Sequence, residues 1–340
     1  MIEGHGDDLY RYSVIESNFS SNICSHPDSR LQPLMEHLAS MPALLSHYPE
    51  PEAWSLEKMI AERHGIAPQC VIATSGATEA IYLVARVLRT GAVIPSPTFS
   101  EYEKACSLTA YHTYTPLSLN TLPKTDSVLW LCNPNNPTGE VLSQSEVRQL
   151  LRRYQDVVID QSYKRYTDIP VMSAQDAVRI RHIVLIHSMT KDYCVPGLRL
   201  GYIVAAPQQA NLFRRYMRPW AVSSLAIEAG KYLLQHDDLL AQPDLREAQR
   251  LHQRLQQIEG ISVAPTHTNF MLCKLKHGTS HDLKEYLARE HKMLIRDAAN
   301  FRGLSAPYFR IAAQTPAEND ALVEAIRQFL DELTSRQEYK

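Results

Sequence analysis

Residues 186–205 read IHSMTKDYCVPGLRLGYIVA. One lysine, Lys191, stands between two short apolar runs, with Ser188 and Thr190 before it and Pro196-Gly197-Leu198-Arg199 after it. The runs are continuously apolar rather than alternating, which predicts strands covered on both faces, as in a mostly parallel sheet. A solvated lysine requires no such frame. A lysine that must reach a carbonyl from a strand end does.

The same texture extends outward. QCVIATSG (69–76), AVIPSP (92–97), SVLWLCNP (127–134), DVVID (156–160), HIVLIHS (182–188) and LGYIVAA (200–206) read as strands, with helices or turns between them. ATEAIYLVARVLRTG (77–91) predicts a helix closed by Gly91 in a left-handed conformation. Capping boxes open two more helices, Ser143 to Glu146 and Thr315 to Glu318. The polar stretch from about 237 to 258 predicts one long helix joining two lobes. Beyond it SVAPTHTNFMLCKL, KMLIRDAAN and YFRIAAQ alternate with two helices, giving a compact α+β lobe. The expected division is an N-terminal segment over 1–45 packing with the small domain, a large domain over 46–236, and a linker helix with the small domain over 237–340.

The 340 residues, 44% of them hydrophobic and 21% charged, suffice for two buried cores. A formal charge of -2 gives no electrostatic reason to expect nucleic acid or an anionic membrane. Six scattered cysteines without a Cys-x-x-Cys pair suit a reducing compartment and exclude a zinc ribbon. The start, MIEGHGDDLYRY, is polar, and no apolar run approaches the ~20 residues of a membrane span. The expectation is a cytoplasmic protein with no metal.

In an open parallel sheet ligands bind at the carboxyl ends of the strands. There TSGATEA places Ser75, Gly76, Ala77 and Thr78 at a strand-to-helix turn, where free N–H groups suit a phosphate or form a plain turn. CNPNNPTGE offers Asn136 in a proline-restricted loop, and VIDQSYKRY offers Asp160 and Tyr163. A carboxylate at a buried strand end is costly without a positive partner. With Ser188, Thr190, Lys191 and Arg199 the set describes a pyridoxal 5'-phosphate site. Such a site needs a lysine for the Schiff base, an aspartate for the pyridine nitrogen, donors to the ring oxygen and an anion cradle.

These motifs resemble the fold-type I pyridoxal phosphate enzymes, class I/II aminotransferase branch, over nearly the whole chain. The resemblance implies a seven-stranded, mostly parallel sheet between helices in the large domain. It implies that Lys191 carries the Schiff base, Asp160 pairs with the pyridinium, and Asn136 and Tyr163 bond the ring oxygen. Gly76, Ala77, Thr78, Ser188, Thr190 and Arg199 would hold the cofactor, with Phe99 of PTFSEY stacking on the ring ahead of Tyr102. Tyr48 would reach the neighbouring subunit's site in a homodimer, and Arg310 would take the substrate carboxylate through a bidentate fork.

Within the branch the chain resembles both threonine-phosphate decarboxylases, which make aminopropanol phosphate for cobalamin, and histidinol-phosphate aminotransferases. Each handles a small phosphorylated amine, for which Arg296 would be the second clamp. GHGDD (4–8), NFSSNIC (18–24), RPWAVSSLA (218–226) and RDAANFRGL (296–304) resemble the decarboxylases more, implying substrate roles for His5, Gly6 and Asn22. His5 has a lesser alternative as part of a polar terminus, and Asn22 reads equally as a turn residue. Asp7 and Asp8 depart from the decarboxylases' Gly-Asn and would repel a phosphate if they faced it. Tyr163 suits the aminotransferases at least as well. A ligand-sensing regulator of the same fold is disfavoured, since the few residues ahead of the first elements cannot make a DNA-binding domain.

Overall fold

The computed structural model describes residues 6–23, 28–109, 113–114, 116–117, 119–123 and 126–338. Among the described residues thirteen strands form three sheets: β1 Ser17–Asn18, β2 Val71–Thr74, β3 Ala92–Val93, β4 Thr113–Tyr114, β5 Val128–Cys132, β6 Asp156–Asp160, β7 Ile183–Ser188, β8 Gly201–Val204, β9 Ile261–Val263, β10 Phe270–Leu275, β11 Met293–Leu294, β12 Arg296–Asp297 and β13 Tyr308–Ala312. The large sheet has the order β2-β8-β7-β6-β5-β3-β4. It is parallel throughout except for β8, which runs antiparallel to both its neighbours. The seven mostly parallel strands expected from the sequence are present.

Alternate side chains of these strands enter two different cores. Val71, Ala73, Leu129, Leu131, Val157, Ile159, Ile183 and Leu185 pack on one face, and Ile72, Val128, Trp130, Val158, Val184 and Ile186 on the other. Two apolar faces are why the strand sequences do not alternate. Each valine, leucine or isoleucine among them contributes about 1.5–3 kcal/mol when fully buried.

The sheet's register builds the site edge. Cys132 pairs with Asp160, Asp160 with Ile186, Ser188 with Gly201, and Thr74 with Gly201. Because β8 is reversed, its first residue lies beside the last residues of β2 and β7. One edge therefore collects Ser75, Cys132, Asp160, Ser188 and the segment entering β8.

The second sheet, β12-β13-β10-β9, is antiparallel and holds its own core around Phe309, Ile311, Met271 and Leu283. β1 pairs with β11, the backbone of Ala312 donates to the carbonyl of Phe19, and Phe19 is buried in that second core. Residues 17–19 thus pair and pack with the C-terminal part, whereas Gln32–Ala39 packs through Leu34 on the large domain's core.

Two helix expectations are corrected. The helix Gly76–Val87 ends four residues before Gly91, which takes φ 99° in the turn into β3. The stretch 237–258 is not one helix: Asp237–Leu239 forms a single 3-10 turn, Pro243 interrupts, and Asp244 caps a new helix, Leu245–Gln256, by accepting from the N–H groups of Arg246 and Glu247. Both predicted capping boxes form.

Candidate active site

A cavity of about 340 Å³ opens along the collected strand ends. Lys191 lies just past β7 in the four-residue helix Met189–Asp192, whose exit is fixed by Tyr166 Oη donating to the Lys191 carbonyl at 2.8 Å. Its Nζ donates to the carbonyl of Ser21 at 2.9 Å and lies 5.9 Å from the Tyr163 ring centre. Burial first, and then the Arg310 charge, lower the amine to about 8. An amine so lowered is partly neutral, and so nucleophilic, near neutral pH.

Asp160 closes the other end of this half. It is buried, and Tyr102 Oη donates to its Oδ2 at 2.9 Å while the Ser162 N–H donates to Oδ1 at 2.8 Å. Burial pushes the carboxyl upward, and the donors from Ser162 and Tyr102 pull it back. A buried carboxylate held this way is matched to a cationic ligand atom.

The turn between β2 and the following helix offers free N–H groups of the kind that suit an anion. Ser75 gives no side-chain cap to the helix that starts at Gly76, so its first N–H groups face the cavity at Ala77 and Thr78. A Cβ on Gly76, which has φ 86°, would stand 2.7 Å from Arg199 Nη2, and one on Gly201 would stand 2.6 Å from Ala77 N. Only glycine lets the guanidinium approach the helix start. Ser188 and Thr190 line the same space, and Thr190 Oγ1 is buried without a protein partner.

The loop after β5 uses its asparagines differently. Asn133 exchanges hydrogen bonds with Leu142, and Asn135 bonds Thr98, Pro97 and Thr138. Asn136 turns into the cavity, where its Oδ1 accepts from Arg310 Nη1.

Arg310 and Arg296 supply the second half of the site. They stand directly opposite each other across the antiparallel pair β12–β13, both buried. Burial, with Arg296 adding to it, lowers Arg310 to about 10. Like charges directly opposed on a sheet are destabilising, and more so out of water. Arg310 Nη2 donates to the Ser20 carbonyl, and Arg296 donates to Asn300 Oδ1 at 2.8 Å. Gly6 fits between the pair, where an added Cβ would meet the Ser20 carbonyl at 2.8 Å and Arg296 Cδ at 3.3 Å. Two anionic groups on one ligand would relieve the arrangement.

The structure thus brings Gly6, Ala77, Thr78, Phe99, Asn136, Asp160, Tyr163, Ser188, Thr190, Lys191, Arg199 and Arg310 to one cavity, with Gly76 behind Arg199 and Arg296 in an adjoining recess with Gly6, Phe99 and Arg310. Asn22 does not line it; its amide is fully buried beside Tyr163, and Ser20, Ser21 and Ile23 line the wall instead. Tyr48 lies outside, 84% exposed and tilted against Trp220. His5 falls outside the described residues. The repulsion expected from Asp7 and Asp8 is half resolved. Asp8 turns away to Lys284 at 2.6 Å, whereas Asp7 lines the cavity. Ser20, Ser21, Cys132 and Ser162 were missed; the pair of serines in NFSSNIC was the only signal for the first two.

A family model described as aminotransferase class I and II matches residues 15–326. The chain belongs to that family. It is 35% identical to the crystal structure of L-threonine-O-3-phosphate decarboxylase from Porphyromonas gingivalis, with a TM-score of 0.88 over 93% of this chain and 99% of that one. It is 30% identical to threonine-phosphate decarboxylase of Salmonella typhimurium over 92% of this chain and 91% of the relative. Histidinol-phosphate aminotransferase of Caldanaerobacter subterraneus is 27% identical over 83% of this chain and 84% of the relative. As a class I and II aminotransferase family member the chain uses pyridoxal phosphate. Its residues fit the group on three independent points: the orphaned Thr190 hydroxyl, the close approach of Arg199 that a Cβ on Gly76 would fill, and the buried carboxylate of Asp160 in one cavity with an amine lowered to about 8. No helix among the described residues is long and apolar enough to cross a membrane.

Proposed function

We propose that this chain is a pyridoxal phosphate-dependent lyase that decarboxylates L-threonine O-3-phosphate to (R)-1-amino-2-propanol O-2-phosphate, the aminopropanol unit of cobalamin. The observation that carries the reading is the buried Arg296–Arg310 pair facing each other beside Lys191's cavity. A substrate with a carboxylate and a phosphate supplies one anion to each guanidinium. The two decarboxylase relatives, at 30% and 35% identity, support the same substrate.

In this reading Ala77, Thr78, Ser188, Thr190 and Arg199 hold the cofactor phosphate, with Gly76 leaving room for Arg199. Phe99 covers one ring face, Asp160 pairs with the ring nitrogen, and Asn136 and Tyr163 donate to the ring oxygen. Burial raises Tyr163 to about 12, so its hydroxyl keeps its proton as a donor. Bound to Lys191, the cofactor supplies an electron sink for whichever Cα bond stands perpendicular to its ring. Arg310 takes the carboxylate and Arg296 the phosphate, and their fixed separation sets the rotation about Cα. Asn22 would support Tyr163 rather than meet substrate directly. Once freed, Lys191 Nζ is the group that moves a proton at Cα. We further read the protein as a cytoplasmic homodimer in which Tyr48 reaches the partner's phosphate cradle.

A second reading, transamination of a phosphorylated amine such as histidinol phosphate, draws on Tyr163 and on the 27% identical relative. Loaded enzyme given O-phospho-L-threonine without any keto acid separates the two. Continuous release of carbon dioxide and aminopropanol phosphate is expected. Conversion to the pyridoxamine form by histidinol phosphate, with no gas release, would favour the second. Full turnover by Lys191→Ala would defeat both.

A further inference from the structure

Among the described residues the cavity lining holds two carboxylates, Asp160 and Asp7. Asp160 is engaged by Tyr102 and Ser162 at the cofactor end. Asp7 stands on the wall that carries Ser20 and Ser21. Its N–H donates to Ser20 Oγ at 3.0 Å and its Oδ1 accepts from Asn18 Nδ2 at 2.6 Å. Its φ of 64° reverses the chain, so that Asp7 faces the cavity and Asp8 faces Lys284. Lys191 Nζ bonds the carbonyl of the very next residue, Ser21. Asp7 and Lys191 are therefore fastened to consecutive residues of one segment and share one cavity.

Other groups face Lys191 as well. Arg310 comes from β13, Arg199 from the segment before β8, the Tyr163 ring from the end of β6, and Cys194 from Lys191's own turn. The two arginines disfavour an ammonium at Nζ, and Asp7 is the carboxylate that opposes them.

We propose that Asp7 steers the reaction by holding the freed Lys191 amine as an ammonium, so that it gives a proton to the substrate Cα rather than taking one. This rests on the decarboxylase reading above. In decarboxylation the bond from Cα to the carboxylate carbon breaks and carbon dioxide leaves. A Cα–H bond then forms as an Nζ–H bond of Lys191 breaks, and water returns the proton to the amine. Transamination begins the opposite way, with a neutral Nζ removing the Cα hydrogen. A carboxylate lining the same cavity as Nζ favours the first course and hinders the second. Asp7 acts through Lys191 and is a positioning residue.

The test uses Asp7→Asn and Asp7→Glu, each as cofactor-free protein and as holoenzyme. Capture of pyridoxal phosphate requires a neutral amine, so the capture rate of the parent rises with pH through the lysine's titration. Asp7→Asn shifts that midpoint to lower pH, and Asp7→Glu restores it. With O-phospho-L-threonine and no keto acid, carbon dioxide released per cofactor converted to the pyridoxamine form falls several-fold in Asp7→Asn and recovers in Asp7→Glu. An unchanged midpoint, or an unchanged ratio, overturns the assignment. So does a faster capture plateau at the same midpoint, which reports only altered attraction for the cofactor's phosphate. If the parent itself releases no carbon dioxide, the decarboxylase reading fails, while the capture midpoint still decides whether Asp7 governs Lys191.

Discussion

Tyr102 shows what one hydroxyl can contribute at the residue scale. Phe99 and Tyr102 sit three residues apart, and the sequence offered both as ring stackers. Both line the cavity, but the fold gives them different work: Tyr102, 1% exposed, meets Phe99 edge-on at 5.7 Å and donates its hydroxyl to Asp160. A hydrogen bond to a charged group is worth about 1.5–3 kcal/mol. Tyr102→Phe keeps the ring contact and removes the donor, so the Asp160 carboxyl rises further and pairs less well with the pyridine nitrogen. The expected result is weaker retention of pyridoxal phosphate by about 10- to 100-fold, read from the absorbance of bound cofactor on dilution. Unchanged retention would remove Tyr102 from the account. The same scale sets a limit on reading sequence. Asp7 and Asp8 are identical side chains, and only the positive φ at Asp7 decides which one enters the cavity. No residue type or spacing announces that angle.

At the scale of elements the strand ends and the two capping-box helix starts were legible, and the helix limits near Gly91 and within 237–258 were not. Strands declared themselves because a sheet buried on both faces demands unbroken apolar runs; Asp160 ends one run, Asn136 and Lys191 follow two others, and Arg199 precedes the reversed one. Gly91 misled, since a glycine with positive φ serves a strand entrance as well as a helix exit. The supposed long helix over 237–258 carried its own stop signal in Pro243 and its own start in Asp244. Two-residue β1 and β11 have no periodicity to detect; their pairing follows from Phe19 and Leu294 being buried in the small lobe. One element boundary is open to test. Gly76→Ala places a side chain in the left-handed region, at a cost of roughly 1–2 kcal/mol, and displaces the Arg199 guanidinium from the helix start. Thermal unfolding should register the modest loss, and cofactor affinity should fall by more than the stability change accounts for. Equal affinity in the variant would mean that the cradle does not depend on that approach.

The whole molecule brings together charges that neither lobe would tolerate alone. Arg296 and Arg310 are opposed on the small sheet, Asp160 and Lys191 stand on the large one, and the N-terminal segment reaches both through Gly6, Ser20 and Ser21. What a single chain does not bring to the cavity is Tyr48, exposed beside Trp220 on the outer surface. If Tyr48 completes the partner's cradle, each active site of the dimer draws Lys191 from one chain and Tyr48 from the other. Lys191→Ala and Tyr48→Ala dimers, each nearly inactive alone, should then regain activity when their subunits exchange. In a mixed dimer one site is intact and the other doubly defective. Equal mixing makes about half the dimers mixed, so about a quarter of the parent activity should return, since the isologous interface exchanges identical surfaces. Activity that stays at the sum of the separate variants, with exchange verified by a tagged subunit, would put Tyr48 on its own chain's surface and leave each cavity to be completed from within.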